Sequence, residues 1–259
     1  MTPLVLHHGL FGHGDWQLGP LKWRYFNQID EKIAARGYPI IIPGVHPTAG
    51  VTTRARQLKQ IILARLAEMN RRDKQVVIIA HSLGGLDARY MITHLGMASQ
   101  VKALVTVCSP HRGTPYADWC AHNVGRRLGG FQLMKFLGLD VQAFLDTTRP
   151  ACKVFNTETP DQPGVKYFSV SAQRPEKMMP PFARHSHRLI SAAEGANDGL
   201  VSVKSAQWGE HLATWPLDHW LTINRRLVPH AQRSVRIVAY WLKVVDRLVE
   251  DGLLEKGKA

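Results

Sequence analysis

Val76-Val77-Ile78-Ile79-Ala80-His81-Ser82-Leu83-Gly84-Gly85-Leu86-Asp87-Ala88-Arg89-Tyr90 is the stretch on which the reading of this chain turns. Its first four residues are apolar and β-branched, the composition of a strand buried on both faces of a parallel sheet. From Gly85 onward the residues are mostly good helix formers. Between the two sits one serine, with Ala80 and Gly84 two positions away on either side. Small residues there let a strand turn sharply into a helix, and the turn lifts the Ser82 hydroxyl clear of the sheet as a nucleophile. The plainer reading is a serine that caps a helix in any α/β protein. What surrounds the string decides between them.

Outward from it, apolar runs alternate with helical patterns, which predicts an α/β fold of βαβ units around a mostly parallel sheet. Residues 4–6 read as the first strand, followed by the loop His8-Gly9-Leu10-Phe11-Gly12. A helix is expected over about 21–36 with Gly37 as its C-cap, then a strand over 38–42. Residues 52–72 read as a helix, because Ala55, Leu58, Ile62, Leu66 and Met69 form one apolar face. Further strands are expected over 76–80, 101–107 and 167–171. The last element is an amphipathic helix over 231–249 with Val235, Val238, Trp241, Val245 and Leu248 inward. Between about 112 and 160 the alternation breaks. Trp119, Leu128, Phe131, Leu133, Met134, Phe136, Leu137, Leu139, Phe144 and Leu145 fall among Gly129, Gly130 and Gly138. That segment reads as a small helical cap inserted into a single domain spanning 1–259, since no linker or repeat divides the chain.

The formal charge of +13 favours anionic partners such as phospholipid head groups. The basic residues are scattered, densest in 54–72 and at Arg126-Arg127, and read as solvated helix faces. No nucleic-acid module accompanies them, so nucleic acid is not an expected partner. Apolar stretches fall well short of the roughly 18–20 residues that span a bilayer, and no signal peptide precedes the first strand. A soluble protein is expected, cytoplasmic, or secreted if the chain is a mature form. Three cysteines are too few for a disulfide framework: Cys108 reads as a buried thiol, and the one bridge to weigh joins Cys120 and Cys152. No Cys/His spacing reads as a zinc site.

A serine hydroxyl needs a base, usually histidine, and the histidine needs a carboxylate to fix its tautomer. On a strand–turn–helix scaffold of this kind the order along the chain is Ser, acid, His. Asn197-Asp198-Gly199-Leu200-Val201 puts a carboxylate in a polar turn, and Asp218-His219-Trp220 puts a histidine in a turn before the last helix. Asp198 is therefore the expected acid and His219 the base, with Glu194 the alternative acid. His185 and His187 precede Asp198 and are in the wrong order; His211 and His230 read as surface or capping groups. Asp87 lies on the helix after Ser82 and should point away from it, and Asp218 should diverge from its neighbour His219. An oxyanion needs preorganised N–H donors. The backbone N–H of Leu83 is one, and that of Leu10, in the loop after the first strand, is the expected second.

Together these pieces resemble the true lipases of bacteria and their eukaryotic relatives in the α/β-hydrolase superfamily. The resemblance rests on His8-Gly9-Leu10-Phe11-Gly12, on 80–90, on Ser109-Pro110-His111-Arg112-Gly113-Thr114, on 197–201 and on Asp218-His219. It implies an α/β-hydrolase fold with a mostly parallel central sheet of about six strands, lacking the first two strands of the full fold. It also implies hydrolysis of carboxylic esters, often acylglycerols, by Ser82, Asp198 and His219, with Leu10 and Leu83 lining the oxyanion hole. Several such lipases bind calcium through an aspartate two residues after the histidine. Leu221 stands there and cannot coordinate a hard cation, so no metal and no cofactor are expected. The expected partners are a lipid or small-molecule ester and a lipid–water interface or anionic lipid surface. The alternatives are a phospholipase, an acyl thioesterase or a polyester hydrolase on the same fold, and, from another class, a non-catalytic lipid- or partner-binding module.

Overall fold

The computed structural model describes residues 1–257 except 13–15, 19–20, 71–74, 124–129, 131, 133–139 and 226–233. In chain order the elements are β1 (Leu4–His7), β2 (Trp16–Leu18), β3 (Leu21–Trp23), α1 (Ile29–Ala35), β4 (Ile40–Ile41), α2 (Val51–Glu68), β5 (Val76–His81), α3 (Gly84–His94) and β6 (Val101–Val107). They continue with α4 (Pro115–Cys120), α5 (Gln142–Leu145), α6 (Arg149–Glu158), β7 (Lys166–Ala172), α7 (Arg184–Glu194), α8 (Val203–Ala206), β8 (Glu210–Trp215) and α9 (Ser234–Glu250).

Six strands pair in parallel in the order β4-β1-β5-β6-β7-β8, and β2 and β3 form a separate antiparallel ribbon. The alternation of side chains along each strand builds the two halves of the core. Leu4, Leu6, Val77 and Ile79 face one side, where Ile29 and Ile33 of α1 and Trp241, Val245 and Leu248 of α9 cover them. Val5, Val76, Ile78 and Ala80 face the other, packed by Ala55, Leu58 and Ile62 of α2 and Met91 of α3. From β1 the chain runs outward to β4 and then returns to β5 on the other side of β1. Strand order therefore reverses between β1 and β5, and in open α/β sheets the crevice beyond the strand carboxyl ends at such a point takes the ligand. Both the Gly9 loop and the Ser82 turn emerge there.

Several expectations are corrected. The region 21–36 is not one helix: it holds β3, a buried turn with Tyr25 and Phe26, and then the short α1. Tyr25, Phe26, Ile29 and Ile33 have helical spacing, but Gln28 sits at a left-handed φ of 63°, which no helix interior tolerates. The strand at 38–42 is only two residues long, on the sheet edge beside β1. Met69 ends α2 and is 36% exposed rather than turned to the sheet. Val238, Trp241, Val245 and Leu248 are buried along α9, while the side chain of Val235 lies outside the described residues. In 112–160, α4, a turn at 121–123, α5 and α6 are helical; Arg126, Arg127, Leu128, Gly129, Phe131, Leu133, Met134, Phe136, Leu137, Gly138 and Leu139 lie outside the described residues. Cys120 and Cys152 are not bridged, and all three thiols are free. Among the described residues, no helix is long and apolar enough to cross a membrane.

Candidate active site

β5 ends at His81 and α3 begins at Gly84, so Ser82 and Leu83 make the whole turn. Ser82 takes a φ of 56°, a left-handed conformation that costs a non-glycine residue about 1–3 kcal/mol and persists only where its surroundings hold it. They do: its N–H donates to the Val107 carbonyl at 2.9 Å and its carbonyl accepts from Gly85 N–H at 3.1 Å. Close approach also explains two glycines. A Cβ at Gly9 would lie 2.7 Å from Ser82 Cβ, and one at Gly85 would lie 2.2 Å from Ser109 Oγ. Ala80, in place of the smaller residue usual before such a turn, is accommodated with no exposure.

His219 Nε2 lies 3.0 Å from Ser82 Oγ, and its Nδ1 lies 2.7 Å from Asp198 Oδ2. A carboxylate only accepts, so Nδ1 carries the proton and Nε2 is left free to accept from the serine hydroxyl. The Asp198 backbone carbonyl accepts from the His219 N–H at 2.9 Å, which fixes the two loops to one another. Asp198 Oδ1 accepts from Leu200 and Val201 N–H at 2.9 and 2.7 Å, an arrangement that a left-handed Gly199 (φ 99°) makes reachable. A serine, a base and an acid thus stand in one hydrogen-bonded line. Beside them, among the described residues, nothing accepts from the N–H of Leu10 or Leu83, and both residues line the cavity into which Ser82 opens.

The other candidates are occupied elsewhere. Glu194 accepts from the Ser202 hydroxyl. Asp87 holds Arg54 and His7, and Asp218 pairs with Arg174 at 2.6 Å while accepting from Trp220 and Leu221 N–H. His185 packs on Trp119, His187 reaches the Arg174 carbonyl, and His211 lies on β8 near Ser169 and Thr214; His230 is outside the described residues.

Cys108 Sγ, Asp198 and His219 are the only group of three ligand types converging within 4.8 Å among the described residues. They suit a cation poorly. Burial first, and then the Asp198 charge, push the Cys108 thiol well above its ordinary range, so it stays protonated, and Asp198 and His219 are bonded to each other. Leu221 is buried in the apolar core.

The cavity has a volume of about 560 Å³ and is walled largely by apolar groups, among them Leu10, Phe11, Phe144, Phe182, Val201 and Trp220. Phe11 and Phe182 remain 67% and 62% exposed, which places both at the rim. Tyr116, Cys120, Phe144 and Thr147 bring the 112–160 segment into its wall. Sequence reasoning missed Tyr25 and His81, which line the cavity beside the serine and the histidine, and Thr222, buried next to His219. Tyr25 was hidden in the expected helix, and His81 fell just past the expected strand over 76–80, which the structure extends to include it.

Residues 51–219 match the family described as "PGAP1-like alpha/beta domain". Triacylglycerol lipase 2 of Saccharomyces cerevisiae is 27% identical over 249 residues, 90% of this chain and 75% of the yeast protein. Among solved structures, the mature Bacillus licheniformis lipase BlEst2 superposes with a TM-score of 0.68 at 23% identity, covering 86% of each chain. The Staphylococcus hyicus lipase superposes with a TM-score of 0.76 at 16% identity, covering 96% of this chain and 95% of the other. Those likenesses are of fold: a mostly parallel six-stranded sheet flanked by helices.

Proposed function

From the premise that this chain belongs to the family of PGAP1-like alpha/beta domains, we propose that it is a serine hydrolase of carboxylic esters, a lipase or esterase acting on acylglycerols or other fatty-acyl esters. His219 takes the proton of Ser82 as the serine oxygen attacks the ester carbonyl, and Asp198 stabilises the imidazolium that forms. The oxyanion of the tetrahedral intermediate rests on the N–H groups of Leu10 and Leu83, each donor lowering the barrier by roughly 3–4 kcal/mol. The dipole of α3, whose N-terminus opens beside Leu83, adds to that field. His219 then gives its proton to the leaving alcohol, and water repeats the sequence on the acyl-enzyme.

The single observation that carries this reading is the line Ser82 Oγ–His219–Asp198 beside two uncommitted amide hydrogens in one apolar cavity. The similarity to a yeast triacylglycerol lipase supports the substrate class. A fatty-acyl chain suits walls of Leu, Phe, Val and Trp, and the exposed Phe11 and Phe182 suit contact with a lipid–water interface. The segment 112–160, whose described residues wall one side of the cavity, acts as its cap.

Titrating acid release from tributyrin, triolein, phosphatidylcholine and an acyl-CoA, with fluorophosphonate labelling in parallel, tests the proposal. Release from the glycerides and labelling at Ser82 alone are expected. A chain inert to all four substrates and to the label would overturn it, and release confined to phospholipid or thioester would move the substrate class.

A further inference from the structure

Beside the reacting groups, partly in the cavity wall, runs a second line of hydrogen bonds that the mechanism above does not use. Gly9 N–H donates to Tyr25 Oη at 3.1 Å, and Tyr25 Oη lies 2.8 Å from His81 Nδ1. His81 Nε2 lies 2.9 Å from Thr222 Oγ1, which donates to the His219 carbonyl at 2.5 Å. His81, Thr222 and Tyr25 are all buried.

The direction of every bond in this line follows from its ends. A carbonyl only accepts, so the single Thr222 hydroxyl proton goes to His219, and Thr222 Oγ1 must accept from His81 Nε2–H. With its proton on Nε2 and the ring neutral, His81 Nδ1 accepts, and the Tyr25 hydroxyl donates to it while accepting from Gly9. One proton arrangement satisfies all five groups. The His81 ring lies 4.7 Å from that of His219, centroid to centroid, so a positive charge on it would oppose the imidazolium that the base must become. Burial holds the His81 pKa well below the usual histidine value and lifts Tyr25 to about 12, which keeps both neutral.

We infer that Tyr25, His81 and Thr222 are positioning residues that act as one unit, tying the loop that presents the Leu10 N–H to the loop that presents the His219 base. The inference rests on the hydrolase reading above. It concerns relative placement: the line joins the backbone one residue before the Leu10 donor to the backbone of the base itself. Both ends must hold their places when charge develops, and a displacement near 1 Å in such a site costs on the order of 100-fold in rate.

Two substitutions each remove a single atom or its equivalent without changing shape: Tyr25→Phe and Thr222→Val. Measured on p-nitrophenyl butyrate, each is expected to lower kcat about 10–100-fold with KM nearly unchanged, because the loss is felt at the charged transition state. The double variant should be no slower than the worse single one, since breaking the line at either end releases it. His81→Gln, whose amide offers an acceptor and a donor, should recover most of the activity that His81→Leu loses. Fluorophosphonate labelling rates should follow the same order while melting temperatures stay within a few degrees. Nitrogen NMR of the His81 ring at about pH 7 should show a neutral imidazole protonated on Nε2.

Strictly multiplying losses in the double variant, unchanged kcat in both single variants, or a proton on His81 Nδ1 would each overturn the inference while leaving the hydrolase reading intact. A wild-type chain that takes no label would instead remove the hydrolase reading, and this inference with it. Should His81→Leu fail to fold, the Tyr25→Phe and Thr222→Val cycle decides alone.

Discussion

Arg54 and Asp87 meet at 2.8 Å with neither side chain exposed. The guanidinium also donates to the carbonyls of His46 at 2.7 Å and His8 at 2.8 Å, so the loop leading to Gly9 and Leu10 hangs from a buried cation on α2. Asp87, on α3, holds that cation in place and takes His7 Nε2 at 2.8 Å as well. A buried pair of this kind adds little net stability, but losing one partner leaves an uncompensated charge. Asp87→Ala should therefore destabilise the fold by about 3–5 kcal/mol in urea unfolding, whereas an Arg54→Met, Asp87→Leu double variant should lose much less. A single-variant loss below about 1 kcal/mol would show that the pair holds nothing.

Asp198→Asn tests the acid directly. The variant keeps an oxygen for the Leu200 and Val201 amides but can turn an NH₂ toward His219 Nδ1. The imidazole would then carry its proton on Nε2 and could no longer accept from Ser82. A fall in kcat of about 10³–10⁴ with a native melting curve is expected. Glu194→Gln, by contrast, should leave kcat close to wild type, because that carboxylate serves Ser202. A reversed pattern would exchange their roles.

The contrast between these residues explains what the sequence could and could not tell. Ser82, Asp198 and His219 were legible because each lies in a short local pattern, and the order of the three is constrained by the fold. β1 and β5 were legible as continuous apolar runs, and the helix over 52–72, which ends at Glu68, was legible because burial of one face imposes a period. Arg54 was not: read by composition it belongs to a solvated basic face, and only the tertiary fold brings Asp87 beneath it. The same holds for Arg89 and Arg174, both buried and paired across long sequence separations. α7 escaped notice because its buried face carries Ser186 and His187 beside Ile190, so no apolar stripe marks it. β8 is an edge strand with its residues half exposed, which blurs the alternation. Tyr25 and Phe26 mimicked a helix because side chains packing into one core from a turn can share helical spacing by accident.

Gly85→Ala probes how tightly the turn is seated on the sheet. The added methyl would lie 2.2 Å from Ser109 Oγ, 2.8 Å from Ser109 Cβ and 2.9 Å from Thr106 Cγ2. Rotation of the serine hydroxyl relieves only the first of these contacts, so α3 must lift from β6. A loss of about 1–3 kcal/mol is expected, with a melting temperature lower by several degrees. Gly96→Ala is the control: its position has open space, and its left-handed φ of 69° exacts only the backbone cost. Equal effects at the two sites would mean that packing against Ser109 is not the constraint.

Acid should destabilise this protein at pH values where carboxylates are still ionised. His7, His81 and His111 are fully buried, and burial is the leading cause that lowers the pKa of each below the ordinary value of 6.5. The unfolded chain gains a proton at each site as pH falls through 6.5, while the folded chain does not. The unfolded state then binds more protons, so stability is full above about pH 6.5 and is lost as pH falls below it, toward the lowered folded values. Once the unfolded form is mostly protonated, each of these histidines that stays neutral in the fold changes stability by about 1.4 kcal/mol per pH unit. Urea midpoints measured between about pH 8 and pH 5 should be flat at first and then drop with that slope. His111→Asn keeps polar contact with Thr106 and Arg89 but removes one titrating group, so the slope should become shallower. Stability that stayed level down to pH 5 would mean these rings accept protons without unfolding, and their neutrality in the fold would have to be abandoned.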